Sequence, residues 1–443
     1  MVGLTGAAGF PLRPPVPAPW TVRPQAPGPG QRGLWLAHDW TLLGLTIVAM
    51  ADMPNRWGLA GPVWLCVYAA FLLRVAPMWP AFFGQIARNR LLLAYPLVCL
   101  LSVLWSGSPA TSLAGGVQIV MSALIAIYLG WRFAPGRLMA AMLVLVTAAA
   151  VLSLANRALG LWQPVLSYSG GLLGIYTNKN MLGHYSAMAA LMGITVALMG
   201  RGEAPALLRR LAPVAVLVCV AAVGLSRSMT AVLLLPCYCA LLLVLNRRRL
   251  PAALRHGAVA GGILLVGLGP LALAVLGIDP LAELFRATGK DATLTGRTEL
   301  WAIASDVIAQ APLTGQGFGA FWVMDRFEPE RFAVLQAGAT APSFHDFMAD
   351  ILVGTGLVGL AAMALLLGTV LSRAVRQWRA EPSAVATACL VTALMPMTVG
   401  LVETYMYRQH EFMLMWVIML AASIRAHQPP FAAPSRPAGA TLP

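Results

Sequence analysis

About twelve apolar runs, long enough or nearly long enough to cross ~30 Å of hydrocarbon at 1.5 Å per helical residue, constrain this chain most. They fall near 36–52, 58–75, 91–106, 112–131, 138–155, 181–200, 207–225, 229–246, 257–277, 347–371, 383–402 and 409–424. Inside a bilayer each backbone N–H and C=O must find its partner within the protein, so runs of this length are helices. The expected fold is an all-α polytopic membrane protein with about 12 transmembrane helices. Composition agrees: the 443 residues are 59% hydrophobic and 10% charged, against roughly 25% charged in soluble domains.

Basic residues orient the bundle. With the N-terminus cytoplasmic, twenty of the 30 Lys and Arg residues lie on the inner side and every inner loop holds at least two, as the positive-inside rule favours. Both termini are then cytoplasmic. The net charge of +14 is mostly this topological signal, and no soluble domain presents a basic face to nucleic acid. Residues 1–33 carry eight prolines and six glycines without an apolar run. Residues 1–34 therefore read as a disordered cytoplasmic tail rather than a signal peptide, and 426–443 as a second tail. Between them, 35–425 forms one membrane domain whose single large extramembrane piece, 278–346, faces outside. Cys66, Cys99, Cys219, Cys237, Cys239 and Cys389 all fall within expected spans as buried thiols, with no metal-ligand spacing.

Against that charge pattern, an arginine in a short outer loop invites an explanation. Arg227 stands in SRSMT, at the tip of a tight helical hairpin and flanked by Ser226, Ser228 and Thr230. It either snorkels to interfacial phosphates or, with its hydroxyl neighbours, holds an anion. Arg297 opens LTGRTELWAIASDVIAQAP, where Leu300, Ile303, Val307 and Ile308 recur at helical spacing. A cation in a first helical turn opposes the macrodipole, which a bound anion would relieve; an intrahelical pair with Glu299 is the other account. The stretch GIYTNKNMLGHYS contains Lys179, one of two lysines in the chain, beside Asn178 and Asn180. Capping and snorkelling account for these residues as well as substrate binding does.

The run APSFHDFMAD places His345, Asp346 and Asp350 at the entrance of an apolar span. A neutral imidazole there can take a proton from an attacking hydroxyl, with Asp346 or Asp350 orienting it. Alternatively the acids serve the helix N-terminus and the histidine is a bystander. GTGLVG at 354–359 fits a dinucleotide fingerprint literally, yet it lies in an apolar helix with no preceding strand, and reads instead as a close-packing face. Trp301, Phe321 and Trp322 offer stacking surfaces for pyranose rings or interfacial anchors. Asp325, Glu328, Glu330, Asp346 and Asp350 are scattered, unlike a metal cage.

In combination, LWSGSP, NKNMLG, SRSMTA, LTGRTELW, GQGFGAFW and a histidine opening a Gly-rich span resemble the O-antigen ligase and O-antigen or exopolysaccharide polymerase superfamily of bacterial envelope glycosyltransferases. The resemblance covers roughly residues 90–420. It implies a GT-C-like fold in the bacterial inner membrane with the active site facing the periplasm. It also implies a metal-independent, inverting transfer of a glycan from undecaprenyl diphosphate to an acceptor sugar hydroxyl, without a cofactor. On this resemblance Arg227 and Arg297 bind the diphosphate and His345 acts on the acceptor hydroxyl; Lys179, Asn180, Asp346, Trp301 and Trp322 complete the expected substrate-binding set. Where Asp346 stands, the family often has asparagine. GRTELW and GFGAFW look most like chain polymerases, which makes the acceptor a growing glycan and the partners membrane lipids, chain-length regulators and export proteins. The alternatives are a ligase that moves the finished chain to lipid A core, and a transporter of an anionic solute. A transporter should show inverted repeats with helices broken at the midplane, and neither is visible.

Overall fold

The computed structural model describes residues 32–200, 202–249, 297–336, 343–401 and 403–427. The expected span 257–277, most of the two tails and the first part of the expected outer segment lie outside the described residues. Among the described residues the chain is mainly helical, with an isolated antiparallel bridge between Leu166 and Leu172. Six helices are long and apolar enough to cross a membrane, and five shorter apolar helices accompany them. Each falls on one of the apolar runs of the sequence.

In chain order the helices are α1 (Arg32–Met50), α2 (Ala60–Val75), α3 (Trp79–Arg88), α4 (Ala94–Leu101), α5 (Pro109–Arg132), α6 (Pro135–Leu159) and α7 (Lys179–Leu198). They continue with α8 (Ala206–Ser226), α9 (Met229–Leu245), α10 (Arg297–Gln310), α11 (Glu328–Gln336), α12 (Phe347–Ala380), α13 (Ala384–Gly400) and α14 (Phe412–His427). α7, α13 and α14 are apolar on all sides and almost wholly buried, as helices at the centre of a bundle must be. α8 packs on α7, and α5 packs on α14. The second contact is close because Gly130 has no side chain: a Cβ there would strike the Met419 carbonyl.

One end of this bundle is closed by buried ion pairs. Asp39 of α1, 1% exposed, accepts from Arg74 Nε of α2 at 3.0 Å and from Arg132 Nε of α5 at 2.9 Å, with the Tyr128 hydroxyl as a third donor. Nearby, Arg373 of α12 donates to Asn89 Oδ1 at 2.6 Å and to the Ala421 carbonyl at 3.0 Å. A charge removed from water has to be paired in this way.

The opposite end is built differently. α12 is broken at Gly356, where φ is 62° and ψ −161°. The freed backbone joins the 312–317 segment: Gln316 N–H donates to Val353 O at 2.8 Å, Gly317 N–H to Gly354 O at 2.9 Å, and Leu357 N–H to Pro312 O at 2.9 Å. Irregular backbone within an apolar helix is tolerable only with partners supplied by the protein. The glycines of 354–359 thus serve a chain break that docks a neighbouring segment, more than the helix face expected of them. A second apolar cluster of Leu300, Val307, Phe321, Phe327, Phe344 and Val353 welds α10 and the 318–327 turns to the start of α12.

Candidate active site

The end opposite the Asp39 cluster gathers the 51–59 turn, the 160–178 loop, the α8–α9 turn, the entrance of α12 and the 401–411 segment. At the α7 entrance Asn178 caps the helix, its side-chain oxygen accepting from Asn180 N–H at 2.8 Å. Lys179 Nζ donates to Ser169 Oγ at 2.7 Å and approaches the Arg227 carbonyl at 3.5 Å. The 160–178 loop reaches the same turn through Leu172 N–H, which donates to Leu225 O at 2.8 Å.

Arg227 ends α8 in the left-handed conformation, with φ 51°. Its side chain is exposed, and a Cβ on Gly170 would lie 2.9 Å from its Nη1. Through its guanidinium it makes no hydrogen bond or ion pair among the described residues. Arg56, in another short loop at this end, behaves otherwise: it donates to Tyr176 O at 2.6 Å, Pro164 O at 2.5 Å and Trp162 O at 3.4 Å. Arg56 is thus a loop clamp, and Arg227 keeps its fork available. Arg297 begins α10, as expected, but its side chain lies outside the described residues.

His345 also has φ 51°, and its N–H donates to Ser343 Oγ at 3.1 Å. The peptide before it is held from both sides: Phe344 N–H donates to Asp350 Oδ1 at 3.3 Å, and Trp301 Nε1 donates to the Phe344 carbonyl at 3.2 Å. Trp301 therefore anchors the backbone that presents the histidine. Asp346 is the N-cap of α12, accepting from Met348 N–H at 2.7 Å and Ala349 N–H at 3.2 Å. These bonds aim it at the helix amides, where the macrodipole favours a carboxylate.

The carboxylate beside the imidazole is Glu403, which the sequence analysis passed over. It is 4% exposed. Its Oε2 lies 3.4 Å from His345 Nδ1, and its Oε1 accepts from Asn180 Nδ2 at 2.8 Å. Glu403 thereby joins the α7 entrance to the α12 entrance. Its signal was the stretch ETYMYRQHE, 403–411, whose two acids, arginine and histidine interrupt two apolar runs. Such polar residues at a membrane helix end mark function more often than packing.

The rest of that stretch is equally polar. His410, with φ 64°, stacks on Trp64 at 3.9 Å and bonds the Tyr68 hydroxyl, and burial pulls its imidazole down to about 4. Burial pushes the Glu411 carboxyl up to about 8, against the pull of the Arg408 guanidinium. Arg408 and Gln409 line a cleft of about 600 Å3 with Thr111, Gln118, Phe318 and Trp322. The Trp322 ring leans on Phe344 at 5.2 Å, so one wall of the cleft packs on the residue before His345. Among the described residues no group of three or more His, Cys, Asp and Glu side chains is arranged to hold a metal ion.

Residues 212–364 match the O-antigen ligase family. That match takes in Arg227, Arg297 and His345 and leaves out Lys179, Asn180 and Glu403. The chain is also similar to the exopolysaccharide production protein ExoQ of Rhizobium meliloti (strain 1021), at 26% identity over 322 residues, covering 69% of each chain. With the apolar helices that build the bundle, these likenesses support a relationship to the O-antigen ligase and polysaccharide polymerase superfamily of membrane proteins.

Proposed function

We propose that the protein is a glycosyltransferase of the bacterial inner membrane that transfers a glycan from a polyprenyl diphosphate to an acceptor sugar hydroxyl at the periplasmic face, extending an exopolysaccharide chain. The observation that carries this reading is the Asn180–Glu403–His345 chain, which Lys179, next to Asn180, links to the turn that carries the uncommitted guanidinium of Arg227. Glu403 holds Nδ1–H of His345, which leaves Nε2 to accept the proton of the acceptor hydroxyl. The hydroxyl oxygen bonds to the anomeric carbon from the face opposite the leaving group. The bond from that carbon to the diphosphate oxygen breaks, the electron pair leaves with the diphosphate, and the anomeric configuration inverts.

Charge grows on the leaving diphosphate as that bond breaks. Arg227, Lys179 and Arg297 at the helix start are the cations this reading assigns to it, and guanidinium forks suit phosphate oxygens. The mechanism is proposed to run without a divalent metal, since cationic side chains take over the charge stabilisation. Asp346 enters as the cap that fixes the α12 entrance and Trp301 as the anchor of the Phe344 peptide, both acting through the position of His345.

Polymerase is preferred to ligase because GRTELW and GFGAFW resemble polymerase motifs and because the similar rhizobial protein is an exopolysaccharide production protein. The test is the purified protein given a polyprenyl-diphosphate-linked repeat unit, with and without EDTA and with or without lipid A core. A ladder of longer lipid-linked products, unaffected by EDTA, is expected. A single addition that requires lipid A core would make it a ligase, and no transfer to either acceptor would refute the reading.

A further inference from the structure

We infer that the cleft between α5, the 318–322 turn and the 407–409 segment is the acceptor subsite, which binds a pyranose of the incoming glycan on the side of Phe344, the residue before His345. The inference rests on the glycosyl-transfer reading for the word acceptor, and on the chemistry of the cleft for the sugar. The half-buried Trp322 gives the cleft an aromatic face, which matches the apolar C–H face of a pyranose. The side-chain amides of Gln118 and Gln409 line it, and neither makes a hydrogen bond among the described residues. Gln118 sits well inside α5, where an amide without a partner is costly unless it faces a wet cleft or a ligand. Amides that both donate and accept suit sugar hydroxyls, which do the same.

Arg408 also lines the cleft and lies close enough to the buried carboxyls of Asp350 and Glu411 to act on both. The position suits an acceptor as well. Trp322 packs on Phe344, one residue from His345, whereas Lys179, Asn180 and Arg227 approach from the α7 and α8 side. A sugar in the cleft and a diphosphate at Arg227 would thus reach the histidine from different directions.

The test is saturation-transfer NMR on the purified full-length protein, with oligosaccharides released by partial hydrolysis of the producing strain's own polysaccharide. Wild type should show saturation transfer. Trp322→Ala and Gln409→Ala should each weaken binding about tenfold, the scale of one lost stacking or hydrogen-bonding contact, and Trp322→Phe should restore most of it. In steady-state assays the two alanine variants should raise the acceptor KM and leave the donor KM unchanged. No saturation transfer in wild type, or equal binding by both alanine variants, overturns the subsite. A rise in donor KM instead assigns the cleft to the prenyl chain and overturns it too. Sugar binding that depends on Trp322 and Gln409, without any glycosyl transfer, would support the cleft while refuting the proposed reaction.

Discussion

At one end of the bundle Asp39 is gripped by two arginines and a tyrosine; at the other, Glu403 lies between an asparagine and a histidine 3.4 Å away. Both carboxylates are buried, yet they are buried for different ends. Around Asp39 the charges meet directly and α1, α2 and α5 run into them as regular helices. Around Glu403 the backbone is irregular. The described non-glycine residues with positive φ, namely Asp52, Arg227, His345 and His410, all belong to that end. Each such residue costs on the order of 1–3 kcal/mol, a strain that persists only where surrounding structure imposes it. One end spends its polar groups on cohesion, and the other holds them in place for a partner molecule.

The sharpest way to break this contrast is to remove the central group at each end and ask what is lost. His345→Ala should lower turnover by roughly 10²–10⁴-fold, the usual contribution of a positioned acid or base, with thermal unfolding in detergent unchanged. If polymer forms at the wild-type rate, His345 is not the base. Asp39→Ala should do the converse. It strands Arg74 and Arg132 and should destabilise the fold by about 3–5 kcal/mol, while each molecule that still folds keeps near-normal activity. A stable Asp39→Ala protein that is inactive would erase the distinction between the ends.

Smaller effects sharpen the same comparison. Arg227→Lys keeps the charge and loses the fork, so transfer should fall about 10²-fold, with Arg56→Lys as a control that lowers stability instead of rate. Unchanged rates for Arg227→Lys would leave it only a snorkelling role. Asp346→Ala removes a helix cap and should cost about 1 kcal/mol in unfolding assays; a loss of turnover as severe as that of His345→Ala would show that Asp346 acts on chemistry instead.

A pH dependence probes the same end of the molecule. Burial raises the Glu411 carboxyl to about 8 in the folded protein, from an ordinary 4.5. The native state therefore holds its proton more tightly than the unfolded chain does. That stabilisation is complete below pH ~4.5 and is lost as pH rises towards 8. The melting temperature of wild type should decline over this window, and Glu411→Gln should flatten the decline; parallel curves for the two proteins would discard the assignment.

Several residues were legible in advance because their placement contradicts local economy. An arginine at a hairpin tip and a histidine at the mouth of an apolar span are expensive choices, and both stand at the candidate site. Their partners were not legible. Asp346 is adjacent to His345 in sequence and was the natural orienting acid, yet its side chain turns to the Met348 and Ala349 amides because an N-cap position offers it two donors. Trp301 shows the same limit: its helix could be drawn from periodicity, but not that its indole N–H would secure the Phe344 carbonyl.

The sequence by itself determined the class of fold. Apolar runs of membrane length leave the backbone no way to satisfy its polar groups except helices, and eleven such runs are the apolar helices described. It also marked the cations and the imidazole, since the cost of placing each in or near a membrane is a property of the residue alone. Only the tertiary structure decided that Glu403, 223 positions from Asn180 and 58 from His345, lies between them. Which helix ends meet depends on the close approach of backbones, such as Gly130 against Met419 and the broken turn at Gly356 against Leu313. Those contacts are made between segments whose separation along the chain carries no trace of their distance in space.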